Sequence, residues 1–484
     1  MKRKMQVLFL TLLMGAVAAS LFGLQEGGAP QEEAEGVDAQ LSSLTEQTVD
    51  PAEWGKFFPR QYEDYLRTSE RTGTKYGGGG PNAQATDRLT ENPHLRTLFA
   101  GHAFSADYRA RRGHAYMLSD QRETPRAKAP FDQSGACLQC HSSNVTVYRS
   151  QGIAAGAPGS PADALTSPNG YAQLMRGFER VGKMPLGEAT RLVSHPLACI
   201  DCHDPKTMNL RVTRPAFIQG IRALAASGAS AAQFPSIERW RVGNRAEPYD
   251  PNETASRHEM RSFVCGQCHA EYYFSPETTL SYPWSDGLRS DEIESYYNSL
   301  RLPNGRIFSD WRHEVSGAEL LKAQHPDFEL WSQGIHSRSG VSCADCHMPS
   351  RQEGDSKVSD HWVRSPLLGD MQACQDCHRM PVSEIRADVE DIQERTNRML
   401  RRAENTVVEL IRAIAAARAA GYEDTQLLEA QEFQRGAQWR MDFVGSENSM
   451  GIHASAEAFR LLTEAIDLAD RGRTAIRNMQ LRNL

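Results

Sequence analysis

Cys137-Leu138-Gln139-Cys140-His141 has the pattern Cys-x-x-Cys-His, and the pattern returns four more times, as Cys199/Cys202/His203, Cys265/Cys268/His269, Cys343/Cys346/His347 and Cys374/Cys377/His378. These five motifs consume all 10 cysteines of the chain. In such a motif the two thiols bond the vinyl groups of a haem and the adjoining imidazole ligates its iron. Zinc sites would use the cysteine pairs two at a time and strand the fifth, and zinc gives no reason for a histidine after every second cysteine. A disulfide framework fails as well, because two residues between cysteines rarely set a long-range bridge and no cysteine is left over. The chain reads as a pentahaem cytochrome c.

Five large apolar macrocycles supply core that side chains would otherwise have to build. One continuous haem-bearing domain is therefore expected, although 484 residues alone allow about three domains. A hydrophobic fraction of 40% and a mean hydropathy of −0.54 predict a soluble body. The formal charge of −7 offers no basic footprint, so nucleic acid is not an expected partner. At the N-terminus Lys2, Arg3 and Lys4 precede an apolar run from Met5 to Leu24, with small residues around Ala16, Ala18 and Ser20. Residues 1–24 read as an export signal, or as an uncleaved anchor, since about twenty apolar residues can span a bilayer. Haem is attached covalently outside the cytoplasmic membrane, so motifs and export agree, and the periplasm is the expected compartment. No cysteine near this segment invites a lipid. Residues 25–53, with Glu26, Glu32, Glu33 and Glu35, read as a flexible acidic leader, and structure is expected from about Trp54.

Residues 54–381 form the expected pentahaem catalytic region, with short helical stretches, frequent Gly and Pro, and motifs at uneven intervals. The run Gly77 to Gly80 lacks the Lys-Ser/Thr of a phosphate loop and reads as a tight turn, and Ser150 to Pro168 reads as a surface loop. Residues 382–484 differ in character. Ile385, Val389, Ile392, Met399, Val407, Leu410 and Ile414 recur at helical spacing on a charged background that runs to Gly421. That predicts a helix of nearly forty residues, about 60 Å long, followed by two more, near Thr425–Phe443 and Ala454–Arg473. Its apolar stripe is a candidate homodimer seam, with packing on the two following helices as the alternative. The expected fold class is mainly α, a compact multihaem cytochrome c domain with little β structure, followed by long C-terminal helices.

Five motif histidines leave ten others: His94, His102, His114, His195, His258, His313, His325, His336, His361 and His453. A pure electron wire would fill every sixth iron position with a protein ligand, whereas an enzyme would keep one open. Counting does not decide between them. Local context favours an enzyme, because polar groups gather in Glu271-Tyr272-Tyr273, just after His269, and in Leu321-Lys322-Ala323-Gln324-His325-Pro326. Together with Arg112-Gly113-His114, Glu123-Thr124-Pro125-Arg126, Gly334-Ile335-His336, Ser359-Asp360-His361 and Gly451-Ile452-His453, these segments resemble the pentahaem, ammonia-forming cytochrome c nitrite reductases. The resemblance runs from about Trp54 to the final helices, in the same motif order.

The resemblance implies that the first motif carries the catalytic haem, its distal face lined by Arg126, Tyr272 and His325. The other four haems would be bis-histidine, with His361 on the second, His114 on the third, His453 on the fourth and His336 on the fifth. It implies a calcium ion held by the Glu271 carboxylate, the Gln324 amide oxygen and the carbonyls of Tyr272 and Lys322, all hard oxygen donors. It implies nitrite as substrate, a membrane-bound quinol-oxidising multihaem cytochrome c as electron donor, and a homodimer. His141 departs from the lysine of the family's best-known members and places the chain with the subset that carries histidine there; axial identity shifts haem potential. A non-catalytic electron carrier, or a reductase preferring hydroxylamine, nitric oxide or sulfite, are the competing readings.

Overall fold

The computed structural model describes residues 43–77, 85–128, 133–243, 245–274 and 280–482. The expected export signal, most of the leader and Gly78 to Gly80 lie outside them. Order begins ahead of Trp54: Leu44 and Glu46 are buried, and Glu46 pairs with Arg211 at 2.8 Å and with Arg149 at 3.5 Å. An acidic residue of the leader thus pairs with two guanidiniums of the folded body. Residues 44–484 form one unit.

Helices dominate, and several carry visible start signals. Helices α1 (Val145–Ala154) and α2 (Pro168–Gly182) cross behind the first motif. Ser167 Oγ caps α2 and Pro168 opens it, a pairing that suits a helix start. A Cβ added at Gly152 or Gly177 would collide with the carbonyls of Gln173 or Tyr148, so glycine is what lets these helices touch backbone to backbone. The expected Ser150–Pro168 loop therefore begins inside α1. Helix α3 (Pro215–Ala226) lies in the core, and α4 (Arg257–Gly266) starts with a reciprocal Ser256/Glu259 capping box and ends inside the third motif. Helices α5 (Asp327–Gln333) and α6 (Cys343–His347) follow.

Strand content is small. β1 (Tyr273–Phe274) pairs with β2 (Leu280–Ser281), β3 (Trp311–Arg312) with β4 (Glu319–Leu320), and β5 (Ser350–Glu353) with β6 (Ser356–Ser359), all antiparallel. The mainly α expectation holds.

The C-terminal part is α7 (Val382–Ala419, 38 residues), α8 (Asp424–Ser446) and α9 (Ser455–Arg482), the last two each longer than their sequence pattern suggested. Gly421, at φ 93, provides the left-handed residue just past α7. Of the α7 stripe, Ile385, Val407, Leu410 and Ile414 are buried within the chain, while Val389, Ile392 and Met399 are half-buried. The three long helices do not form a core of their own: one apolar cluster joins Val407, Ile411, Trp439 and Leu461 to Phe99, Tyr273, Trp311 and Leu321 from the preceding region. No described helix is long and apolar enough to cross a membrane.

Candidate haem and catalytic sites

Each motif sits on a short helical turn, or at the end of a longer helix: Gly135–His141 for the first, Cys199–Asp201 for the second, the end of α4 for the third, α6 for the fourth and Gln372–Gln375 for the last. One turn brings residues three apart onto the same side, which sets both thiols against one edge of a ring system. Asp345, between the two cysteines of the fourth motif, caps its own turn through Ser342 and pairs with Arg261 at 2.7 Å.

The five motifs are not equivalent in burial, and Cys377 is the outlier. Its thiol is exposed, whereas the other cysteines are buried or half-buried. The cause is position. The turn Gln372–Gln375 has no buried residue, and the chain stays exposed from Gln375 through His378 to Pro381, just before α7 begins. The polypeptide therefore encloses the first motif, at Cys137 and Cys140, and packs least around Cys377 and His378 of the last.

The distal histidines meet the motif histidines. Ring centres are 6.2 Å apart for His114 and His269, and 6.3 Å apart for His203 and His361 and for His336 and His378. Two metal–imidazole bonds of about 2 Å and two nitrogen-to-centre offsets of about 1 Å together span roughly 6 Å. The chain's own geometry thus fits an iron between each pair, the exposed last motif included. His453 lies close enough to His347 for its charge to depress that imidazole's proton affinity, after the larger effect of burial. For His141, Met117 O takes the other ring nitrogen, Nδ1, at 3.3 Å.

Neighbouring motifs touch. Cys140 adjoins Cys268 and Cys265 adjoins Cys343, and Gln267 Nε2 reaches Cys202 Sγ at 4.0 Å. The third motif is therefore a hub between the first, second and fourth. Single segments also serve two motifs at once: Ser359–Arg364 holds His361 opposite His203 and offers Arg364 O to His347 Nδ1 at 2.8 Å.

Around the first motif gather Arg126, Tyr272 and His325. Thr124 Oγ1 donates to Asp107 at 2.7 Å and accepts from Arg126 N and Nε at 3.3 Å, which fixes the arginine's stem. The guanidinium lies 4.2 Å over the Phe104 ring and has no ion pair among the described residues. Its charge bears on Cys137, His141 and Tyr272. An unpaired planar cation of this kind is a bidentate receptor for a small oxyanion. Burial pushes the Tyr272 hydroxyl far up, helped by Cys137 and Cys140, so it keeps its proton as a donor. Burial pushes His325 well below the usual imidazole range, and Arg111, His269 and His141 add to that. At neutral pH it is uncharged. The ordinary imidazole value of ~6.5, which would make His325 a ready donor near neutrality, does not apply in these surroundings. Arg111 and Asp327, both close to His325, were not singled out from sequence, though they flank segments that were.

Glu271 is fully buried, with Oε1 accepting from Tyr297 Oη at 3.0 Å and Oε2 from the Gln324 backbone N–H at 2.6 Å. It has no cationic partner among the described residues. Burial raises its proton affinity, and the nearby Glu329 and Asp310 raise it further. The Lys322 ammonium cannot relieve it, being turned to Asp442 at 2.8 Å. Lys322 O does lie beside the Gln324 amide, 3.2 Å from Nε2. Turning that amide over would put its oxygen next to this carbonyl, giving a cluster of hard oxygen donors that lacks only positive charge.

The profile of the family described as cytochrome c552 matches residues 50–483. A cytochrome c-552 of Parabacteroides distasonis is 32% identical over 96% of this chain and 85% of its own, and one of Bacteroides fragilis is 34% identical over 87% and 76%. The solved cytochrome c nitrite reductase of Desulfovibrio desulfuricans, whose catalytic subunit has two calcium sites, superimposes with a TM-score of 0.72 at 25% identity, covering 90% of this chain and 88% of that one. The chain belongs to the cytochrome c552 family, with the multihaem helical fold of the cytochrome c nitrite reductases.

Proposed function

We propose that this cytochrome c552 family member is a periplasmic pentahaem nitrite reductase that converts nitrite to ammonium. The reaction consumes six electrons and eight protons per nitrite and releases two waters. The observation that carries the proposal is the meeting of an ion-pair-free Arg126 with the buried Tyr272 and His325 at the first Cys-x-x-Cys-His motif. Haem bound through Cys137, Cys140 and His141 would supply an iron for the nitrite nitrogen and a terminus for electrons.

The side chains do the remaining work. Arg126 binds the anion through its planar donors and orients it. The bound negative charge, next to His325, raises that imidazole's proton affinity; it then takes a proton and returns it to an oxygen as an N–O bond breaks. The Tyr272 hydroxyl donates a hydrogen bond to the same oxygens. Calcium on Glu271, Gln324, Tyr272 O and Lys322 O would neutralise the buried carboxylate and lock two segments that carry Tyr272 and His325.

The remaining motifs, with His361, His114, His453 and His336, are proposed as four bis-histidine relays. A membrane-bound quinol-oxidising multihaem cytochrome c is the proposed donor. The N-terminal half of α7, where Val389 and Ile392 stay half-buried in the lone chain, is the proposed homodimer seam. Electron paramagnetic resonance of the oxidised protein tests the core claim: one high-spin signal that changes with nitrite is expected, and its absence would leave an electron carrier. Ammonium yields with an artificial donor, compared among nitrite, hydroxylamine, nitric oxide and sulfite, test the substrate.

A further inference from the structure

The ring nitrogens facing away from the proposed irons are not partnered alike. Nδ1 of His141, His203, His347 and His361 meets a backbone carbonyl in each case, those of Met117, Met208, Arg364 and Ser359, at 3.3, 2.9, 2.8 and 3.0 Å. His269 Nδ1 instead meets a carboxylate, Asp327 Oδ2, at 3.3 Å. His453 Nδ1 stands 3.2 Å from Glu447 Oε2 and 3.9 Å from Asp327 Oδ1, near enough for charge attraction although out of line for a hydrogen bond. Asp327 therefore lies between histidines assigned to adjacent motifs.

Both carboxylates are built in rather than incidental. Asp327 is buried at the start of α5 and accepts from Asn448 N at 2.7 Å and Asn448 Nδ2 at 2.8 Å. Glu447 is buried and accepts from Ser449 N at 2.7 Å and Gly451 N at 2.8 Å. Neither has a lysine or arginine ion pair among the described residues.

We propose that Asp327 and Glu447 are positioning residues that set the third and fourth haems at lower reduction potential than the first and second, whose histidines meet only carbonyls at Nδ1. The inference rests on the haem reading of the five motifs. A carboxylate draws the Nδ1 proton more strongly than a carbonyl does, which makes the imidazole a better donor and favours the oxidised metal. A fixed negative charge in a buried site acts in the same direction. Because the third and fourth motifs adjoin through Cys265 and Cys343, one carboxylate can act on both. The consequence is a strongly reducing pair directly beside the first motif, which the third motif touches through Cys140 and Cys268.

The test is a redox titration of the holoprotein, followed optically and by electron paramagnetic resonance, in wild type, Asp327→Asn and Glu447→Gln. Haem content is checked first by the pyridine haemochrome assay. Asn and Gln keep the size and one accepting oxygen while removing the charge, the second oxygen becoming a donating NH2. Asp327→Asn is expected to move two of the low-spin waves upward and leave the others in place; Glu447→Gln is expected to move one. Should Asp327→Asn fail to load haem, Glu447→Gln carries the test on the fourth haem alone. Waves that stay fixed in every loaded variant, or that all shift together, overturn the proposal. A wild-type protein holding fewer than five haems would instead overturn the reading beneath it.

Discussion

Arg126 and His325 do different work, so their removal is expected to leave different traces. Arg126→Ala deletes the charge-assisted contact to the anion, a loss of about 1.5–3 kcal/mol, and is expected to lower kcat/KM for nitrite by roughly one to two orders of magnitude. His325→Ala deletes a proton donor and is expected to cost about 10²–10⁴-fold in kcat. Both variants should retain five haems by pyridine haemochrome, and turnover at the wild-type rate would remove the assigned roles. His102, which is assigned to no haem, supplies a pH test. Burial, Lys322 and Arg126 hold its folded value at about 3, against 6.5 when unfolded. Below 6.5 the unfolded chain takes up a proton that the fold refuses, so stability falls as pH drops from 6.5 towards 3. His102→Asn is expected to flatten that part of the thermal-midpoint profile; an unchanged slope would assign the acid sensitivity elsewhere.

Between the residue and the molecule stand segments whose contacts decide whether the residues meet. At the α1–α2 crossing, Gly177→Ala forces a methyl group against the Tyr148 carbonyl, and overpacking of this kind costs about 1–3 kcal/mol. Because α2 also lies against Gly135 through Val181 O, the variant is expected to lower the thermal midpoint and broaden the high-spin resonance signal; a wild-type midpoint would show that the crossing yields freely. The segments proposed to hold calcium form a second unit to test. Chelation, or Glu271→Gln, is expected to lower nitrite turnover about 10–100-fold, as loss of outer-shell support does elsewhere, with haem content unchanged. This is also the scale at which the sequence was only half legible. The motif turns and the long α7 announce themselves, because covalent attachment and helical period leave fixed spacings. The backbone contacts of Gly152 and Gly177, the burial of Glu46 against Arg211, and the approach of Asp327 to His269 do not, because each joins positions far apart and depends on a close fit that no local pattern encodes. The exposure of Cys377 was hidden for the same reason: five identical spacings say nothing of what packs around each. That Arg126, Tyr272 and His325 gather at the first motif was expected from the resemblance to a family, while the lowered proton affinity of His325 needed its surroundings.

Across the whole molecule, the first three motifs are laced together by one buried polar hub. Arg214 Nη1 donates to Asp201 Oδ1 at 2.9 Å and to Asn144 Oδ1 at 2.8 Å, and Nη2 to Ser142 O at 2.9 Å, with neither side chain of the ion pair exposed. Asp201 belongs to the second motif, and Ser142 and Asn144 follow the first. The third joins through Gln267, whose Nε2 donates to Asp201 O at 3.1 Å and whose Oε1 accepts from Thr213 N at 2.9 Å. Such a pair gains little net stability over apolar packing, since desolvation offsets its attraction, but removing one partner strands the other charge in the interior. The hub's contribution is then register among three motifs more than stability as such. Arg214→Met is expected to lose about 3–5 kcal/mol and show a lower thermal midpoint, whereas Arg214→Met combined with Asp201→Leu should regain most of it. The double variant, stable again, is nonetheless expected to show altered low-spin resonance signals, because the turns of the three motifs no longer share a common anchor. A single variant that melts with the wild type, or a rescued double variant with wild-type signals, would show that the motifs find their register without Arg214.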